Sequence, residues 1–267
     1  MAFPGAFDDL DDPCYTVVGA PLDVSTSFRP GARFGPERIR TFARHFDDYD
    51  HRTDQHFTDL GVTDHGDVRA WDDAPGYLES LEGVLTDVVD AESIPLLLGG
   101  EHTVSVAGVT AVEPDVFVSI DAHLDLREEL AGNEWSHATV TRRALEVADQ
   151  AVVVGARTGS EAEWDRADRD DVTVISPEDV SEWTPTIDGS VYLSVDIDGA
   201  DPGVAPGTGT PEPFGLAATT IRDVVRTLAP HSIGFDVVEV NDRDDGQAAS
   251  LGAKLLREFV FAHSAGF

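Results

Sequence analysis

Short β-rich, largely apolar runs recur through the chain, at 15–19, 94–98, 116–120, 151–155, 172–175, 191–198 and 233–240. The segments between them have helical character. Within 78–91, Leu78, Leu81, Val84, Leu85, Val88 and Val89 follow the period of one helix face. Pro36 suits the first turn of a helix reaching about residue 46, and further helices are read over 137–148, 219–229 and 247–263. Runs that are apolar on both faces suit strands covered twice. Strands alternating with helices predict an α/β fold, a parallel sheet with helices on either side. No linker, repeat or low-complexity block interrupts 1–267, so a single domain is expected, with 1–13 as a mobile acidic arm.

The ends of these runs carry unusual residues. Run 116–120 leads into Asp121-Ala122-His123-Leu124-Asp125, with ionisable side chains at alternate positions. On an extended backbone, residues i, i+2 and i+4 share a face. Two carboxylates and an imidazole on one side serve no packing purpose, and their burial costs several kcal/mol without a cation or partner. The pattern reads as metal ligation, with a solvated loop as the plainer alternative. Gly99 and Gly100 allow a sharp turn that presents His102 at a strand-to-helix junction, where open α/β sheets place their ligands. A helix cap is the alternative for His102, and the nearby triple favours a further ligand.

Run 191–198 ends in Asp196 and Asp198, again at alternate positions, and Asp236 and Glu239 stand near the end of the last run. His137 falls at a helix start, as a cap or as a catalytic group. His51, His56 and His65 lack metal-like spacing and read as surface histidines. The Gly/Pro-rich loop over 199–215 is long enough to suggest function. Together His102, Asp121, His123, Asp125, Asp196 and Asp198 offer more ligands than one divalent ion needs. Two ions sharing carboxylates would use them all and leave a bridging water. Oxygen and nitrogen donors without thiolate suit Mn²⁺ better than a structural zinc.

Charge narrows the setting. The chain has 51 acidic and 18 basic residues, a net charge of −33, and Lys254 is its only lysine. Such a surface repels nucleic acid and anionic membranes, so neither is an expected partner. The apolar runs argue against disorder. Acid excess with lysine depletion fits a halophilic protein working in molar salt, where the screening length falls to about 3 Å. Cys14 is the single cysteine, which suits a reducing cytoplasm. No run of about 18 apolar residues is present, and the acidic N-terminus lacks a signal-peptide pattern.

Several motifs in order resemble the ureohydrolases, the arginase and agmatinase family. They are Gly99-Gly100-Glu101-His102, Ser119-Ile120-Asp121-Ala122-His123-Leu124-Asp125, Ser194-Val195-Asp196-Ile197-Asp198-Gly199-Ala200-Asp201-Pro202 and Gly207-Thr208-Gly209-Thr210-Pro211-Glu212-Pro213, with Arg29-Pro30-Gly31-Ala32-Arg33-Phe34-Gly35-Pro36 before them. The resemblance runs from about Gly19 to the C-terminus. It implies a three-layer α/β/α fold with a parallel sheet of about eight strands. It also implies a dimanganese site made by the six residues named above, and a homotrimer or homohexamer. His137 matches the family's proton-shuttling histidine, and Glu239 the carboxylate that binds the substrate guanidinium. Asp125 matches a ligand that also hydrogen-bonds the attacking, metal-bridging hydroxide.

Substrate choice is the finer question. Arginases carry asparagine where this chain has Arg127, and aspartates in the loop that here reads Gly155-Ala156-Arg157-Thr158-Gly159-Ser160. The run Asp125-Leu126-Arg127-Glu128-Glu129 with Ser136-His137-Ala138-Thr139 is similar to archaeal-type agmatinases. Agmatine keeps a cationic tail, which Glu128 or Glu129 is expected to meet. Arg127 could instead bind a carboxylate, favouring formiminoglutamate or guanidinobutyrate, and an aminopropylated agmatine is a further alternative. A catalytically silent metal-binding subunit is the reading from another class. Asn241-Asp242 departs from relatives that have proline after the asparagine, which puts the shape of that loop in question.

Overall fold

The computed structural model describes all residues except 8, 9, 242 and 267, so the Asp242 departure lies outside the described residues. Its strands are β1 (Tyr15–Ala20), β2 (Tyr49–Asp50), β3 (Gln55–His56), β4 (Val62–Asp67), β5 (Ile94–Gly99), β6 (Val116–Ile120), β7 (Gln150–Val154), β8 (Val172–Ile175), β9 (Val191–Asp196) and β10 (Ser232–Val238). Strands β2 and β3 pair as a small antiparallel hairpin. The others form one eight-stranded sheet in the order β4-β1-β5-β10-β9-β6-β7-β8. Every pairing in it is parallel.

Helices cover both faces, as runs apolar on both sides require. They are α1 (Gly35–Phe42), α2 (Ala74–Asp90), α3 (Ser105–Val112), α4 (Val140–Ala144), α5 (Glu161–Ala167), α6 (Ala218–Leu228) and α7 (Gln247–Ala265). Val17, Leu96, Leu193, Phe235 and Val237 point to one face and pack with Ile39, Ile221, Val225, Leu256 and Phe259 of α1, α6 and α7. Their neighbours Val18, Leu97 and Val238 point the other way, onto Tyr77, Leu81 and Leu85 of α2 and Ala107 of α3. Phe117, Ala151 and Tyr192 meet α3 and α4 on that second face, and Val153 meets Ala167 of α5. The result is the expected three-layer α/β/α arrangement.

Topology positions the site. Strands β5, β10, β9 and β6 are neighbours at the centre of the sheet. In sequence they lie far apart, yet their carboxyl ends abut. That is where a parallel sheet with strand order reversed opens a crevice.

Two expectations are corrected here. The segment 1–13 is not a mobile arm at Phe3 to Phe7. Phe3 is 1% exposed and packs on Phe57, and its N–H donates to the Asp64 carboxylate. Phe7 bridges to Thr63 beside β4. An aromatic with a core socket docks despite acidic neighbours, because the burial of its ring outweighs the ordering of a few residues.

The second correction is β4, which hides in the polar stretch after residue 47. Only Val62 among its residues is buried and apolar. Asp64 is buried as well because Arg40, 2% exposed, grips it through Nε and Nη2 at 2.8 Å each. An edge strand satisfied by an ion pair shows no apolar alternation to read. The helix boundaries also move. Helix α2 begins at Ala74, with Pro75 in its first turn, and α4 ends at Ala144, short of the expected 148.

Candidate metal centre

Each ligand candidate is delivered by the carboxyl end of a central strand. Gly100 lets the chain leave β5 tightly: a Cβ there would sit 1.9 Å from the Leu22 carbonyl oxygen. His102 follows, 1% exposed. Strand β6 stops at Ile120, so Asp121, His123 and Asp125 converge from a loop rather than from a strand face. Asp125 completes the turn in the left-handed region, at φ 51°, where a short polar side chain is tolerated. Asp196 closes β9, and Asp198 sits in the 3₁₀ turn after it.

Their ligand atoms meet in two groups. His102, Asp121 and Asp196 each place one donor within 4.8 Å of the others, and Asp121, His123 and Asp198 do the same. Asp121 is common to both. Asp125 joins the first group, with its Oδ2 3.0 Å from His102 Nδ1. In the second group His123 Nδ1 lies 3.0 Å from Asp198 Oδ2. Backbone N–H groups hold the far oxygens of these carboxylates. His123 donates to Asp121 Oδ1, Ala122 to Asp198 Oδ1 and the Asp198 N–H to Asp196 Oδ1. The Thr210 hydroxyl, from the long loop, donates to Asp198 Oδ2 at 2.9 Å.

Proton bookkeeping fixes His102. The Ser194 hydroxyl donates to Asp236 Oδ1 at 2.6 Å and Tyr192 donates to its Oδ2 at 2.8 Å. A hydroxyl has one proton. Ser194 Oγ, 3.1 Å from His102 Nε2, therefore accepts from that ring nitrogen. Nδ1 is the ring nitrogen that faces three carboxylates, of Asp121, Asp125 and Asp196. Both His102 Nδ1 and Asp121 Oδ2 are buried without a hydrogen-bond partner. An outer carboxylate orienting a ligand imidazole in this way is the usual support of a metal-binding histidine.

Electrostatics point the same way. Burial, then repulsion from Asp121, pushes the Asp125 carboxyl up to about 7. Burial together with Asp198, Asp121 and Glu239 raises Asp196 well above the carboxylate range. For His123 burial opposes charge, but Asp198 and Asp121 outweigh it and push the imidazole up to about 12. His102 is raised likewise, by Asp121 and Asp125 against its burial. Buried carboxylates this close cannot all ionise unless cations stand among them. The donor set fits two divalent ions, with Asp121 reaching both.

A cavity of about 260 Å³ opens beside the cluster, lined in part by His123, Asp125, Arg127, His137, Glu163 and Thr210. Arg127 projects into it, with Nε 3.2 Å from Glu163 Oε2. Glu239 is not among the lining residues. It lies deeper, 4% exposed at φ 60°, and its Oε1 accepts the His102 N–H at 2.9 Å. Burial raises its carboxyl well above the usual range; the His102 N–H counteracts this, and repulsion from Glu101 and Asp198 adds to it.

Glu128, expected to meet the substrate's tail, is not among the residues lining this cavity. Its side chain is 83% exposed and pairs with Arg142 at 3.2 Å on the outer wall. Arg142 Nε also holds the Leu126 carbonyl at 3.0 Å, so the chain leaves Asp125 with Arg127 turned inward and Glu128 outward. Besides the ligand candidate Asp125, the acidic group that lines the cavity is Glu163. Its signature was present as Ser160-Glu161-Ala162-Glu163, a capping box in which Glu163 Oε2 receives the Ser160 N–H and hydroxyl.

A sequence profile described as the Arginase family matches residues 14–262. The chain belongs to the arginase family. It is 32% identical over 270 residues to an agmatinase of Pyrococcus horikoshii, covering 96% of this chain and 94% of that one. An N(1)-aminopropylagmatine ureohydrolase of Thermococcus kodakarensis is 34% identical, covering 91% and 88%. The crystal structure of agmatine ureohydrolase of Thermoplasma volcanium superposes with a TM-score of 0.93 at 34% identity, covering 99% and 94%. The family is one of enzymes with binuclear metal sites, and this member is a metal-dependent hydrolase acting on guanidino or amidine groups.

Proposed function

We propose that this arginase-family member is a dimanganese agmatinase, which hydrolyses the guanidinium of agmatine to urea and putrescine. The observation that carries the reading is the pair of ligand groups sharing Asp121, set beside a cavity lined by His137. His102, Asp121, Asp125 and Asp196 would hold one ion, and His123, Asp121 and Asp198 the other. All donors are oxygen or imidazole nitrogen, which favours Mn²⁺. Bound there, the ions would lower the pKa of a shared water toward 7.

The protein's own groups supply the rest. Glu239, buried and short of positive charge, takes the cationic guanidinium and orients it. Asp125 accepts a hydrogen bond from the attacking water. The oxygen adds to the guanidinium carbon to give a tetrahedral intermediate. His137 is held near 4 by burial and by the neighbouring positive charge of His123 and His102, so it is neutral at pH 7. It accepts the water's proton and passes it to the departing amine nitrogen, whose bond to carbon then breaks. Urea and putrescine leave.

A second reading rests on Arg127. Both its Nη nitrogens are without a partner among the described residues, and the side chain lines the cavity. That fork favours a carboxylate-tailed substrate such as guanidinobutyrate or formiminoglutamate. The two readings separate in one assay, in molar KCl with Mn²⁺, of urea from agmatine, aminopropylagmatine, arginine and guanidinobutyrate, and of formamide from formiminoglutamate. Agmatine is expected to lead by kcat/KM. A carboxylate-bearing leader overturns the agmatinase reading and makes Arg127 the specificity residue. No turnover of any of them by folded, metal-loaded protein leaves a silent metal-binding subunit. The family likeness and the charge support a cytoplasmic, halophilic homotrimer or homohexamer, which light scattering in molar KCl would size.

A further inference from the structure

Glu101 is a fully buried carboxylate near the centre that the reaction above does not use. It is 0% exposed. Each of its oxygens receives two donors. Oε2 accepts the N–H groups of Val24 and Ser25, at 2.6 and 2.7 Å. Oε1 accepts the hydroxyls of Ser25 and Thr103, at 2.8 and 2.9 Å. The loop after β1 is thereby bolted to the turn that carries His102.

Ser25 spends its single proton on Glu101, so its oxygen can only accept from other partners. Two donors come from one residue. The His137 N–H reaches Ser25 Oγ at 2.9 Å, and His137 Nδ1 lies 3.1 Å away. The other hydroxyl beside Nδ1, that of Ser136, lies farther off at 3.4 Å. Facing the nearer Ser25 oxygen, whose proton is committed, Nδ1 is the nitrogen that carries the ring proton. Nε2 is left with its lone pair, beside Ser27 Oγ at 3.3 Å and facing the cavity that His137 lines.

We propose that Ser25 is a positioning residue that fixes the tautomer of His137, with Glu101 fixing the direction of the Ser25 hydroxyl. The inference rests on the reading of His137 as the proton carrier. A ring with Nδ1 protonated aims its basic nitrogen at the substrate. The other tautomer offers an N–H there and cannot accept the water's proton. Glu101, which flanks His102 in the Gly99-Gly100-Glu101-His102 motif, thus serves the far side of the site through one hydroxyl.

The test compares Ser25→Ala, Ser25→Thr and His137→Asn in the full chain, in molar KCl. Ser25→Ala keeps three of the four donors to Glu101, so the loop stays anchored. With Mn²⁺ and agmatine its kcat is expected to fall about tenfold or more, part of what a general acid–base contributes, while KM stays within about twofold. Ser25→Thr, which keeps the hydroxyl, is expected to restore most of the loss. On metal-free protein labelled with ¹⁵N-histidine, the His137 signals are those absent in His137→Asn. They are expected to show a protonated Nδ1 and bare Nε2 in the natural chain, and a mixture or the reverse in Ser25→Ala. An unchanged kcat in Ser25→Ala beside an inactive His137→Asn overturns this inference and leaves the proposed function standing. So does a fall in kcat with no change of tautomer, which makes Ser25 a scaffold only. Full activity in His137→Asn removes the proton carrier and this inference with it.

Discussion

Asp121 is the residue on which the centre turns, because both ligand groups include it and one of its oxygens has no hydrogen-bond partner. The imidazoles beside it hold protons in the metal-free protein: His123 is pushed up to about 12 by Asp198 and Asp121 against its burial, and His102 is raised too. A metal ion must displace those protons. Metal binding is therefore expected to release protons at neutral pH, and apparent Mn²⁺ affinity to rise as pH rises. Calorimetric titrations in buffers of different ionisation enthalpy measure the protons directly, and affinity independent of pH between 6 and 9 would refute the assignment. Asp236 acts one step further out, through Ser194. Asp236→Asn offers an amide donor where two hydroxyls donate, so the His102 tautomer loosens. Metal affinity is expected to drop about 10–100-fold, the usual cost of losing such support, as read from bound Mn²⁺ after dialysis.

Among the elements, β4 and the N-terminal segment were the hardest to foresee. Both are organised by Arg40. Its guanidinium pairs with Asp64 through two bonds and reaches Asp67 at 2.6 Å. Phe3 then adds its N–H to the same Asp64. The polar sequence of β4 is the record of that buried pair, not of a loop. Arg40→Met keeps much of the volume and leaves Asp64 buried with no cation. Such a broken pair costs about 3–5 kcal/mol. The thermal midpoint is expected to fall sharply, and Arg40→Met with Asp64→Asn to recover part of the loss. A midpoint within 2 °C of the natural chain would show that Asp64 is solvated. Helix α3 makes a different accommodation: a Cβ at Gly108 would lie 2.1 Å from the Tyr192 hydroxyl, so the glycine makes room for the ring that supports Asp236.

At the scale of the whole molecule, 51 acidic residues stand against 18 basic ones. Local pairing cannot neutralise that excess, so stability should depend on bulk salt. The thermal midpoint is expected to climb between 0.1 M and 3 M KCl as the screening length falls from about 10 Å to under about 3 Å; a flat midpoint over that range would sink the halophile reading. The sheet is the other property of the whole chain. Runs such as 94–98 and 151–155 determined by themselves that strands alternate with helices, since a segment apolar on both faces can only be covered on both faces. Likewise the candidate ligands His102, Asp121, His123, Asp125, Asp196 and Asp198 were legible as a group, because closely spaced charge after an apolar run has few uses other than a cation. Tertiary structure alone decided what depends on contacts between distant segments. It set β5, β10, β9 and β6 side by side, turned Glu128 outward and brought Glu163 into the cavity. It also linked Glu101 through Ser25 to His137, 112 residues beyond that serine. The physical reason is range. Periodicity and local charge are fixed by neighbours in sequence, whereas a hydrogen bond or a cavity wall depends on which strands come to lie together.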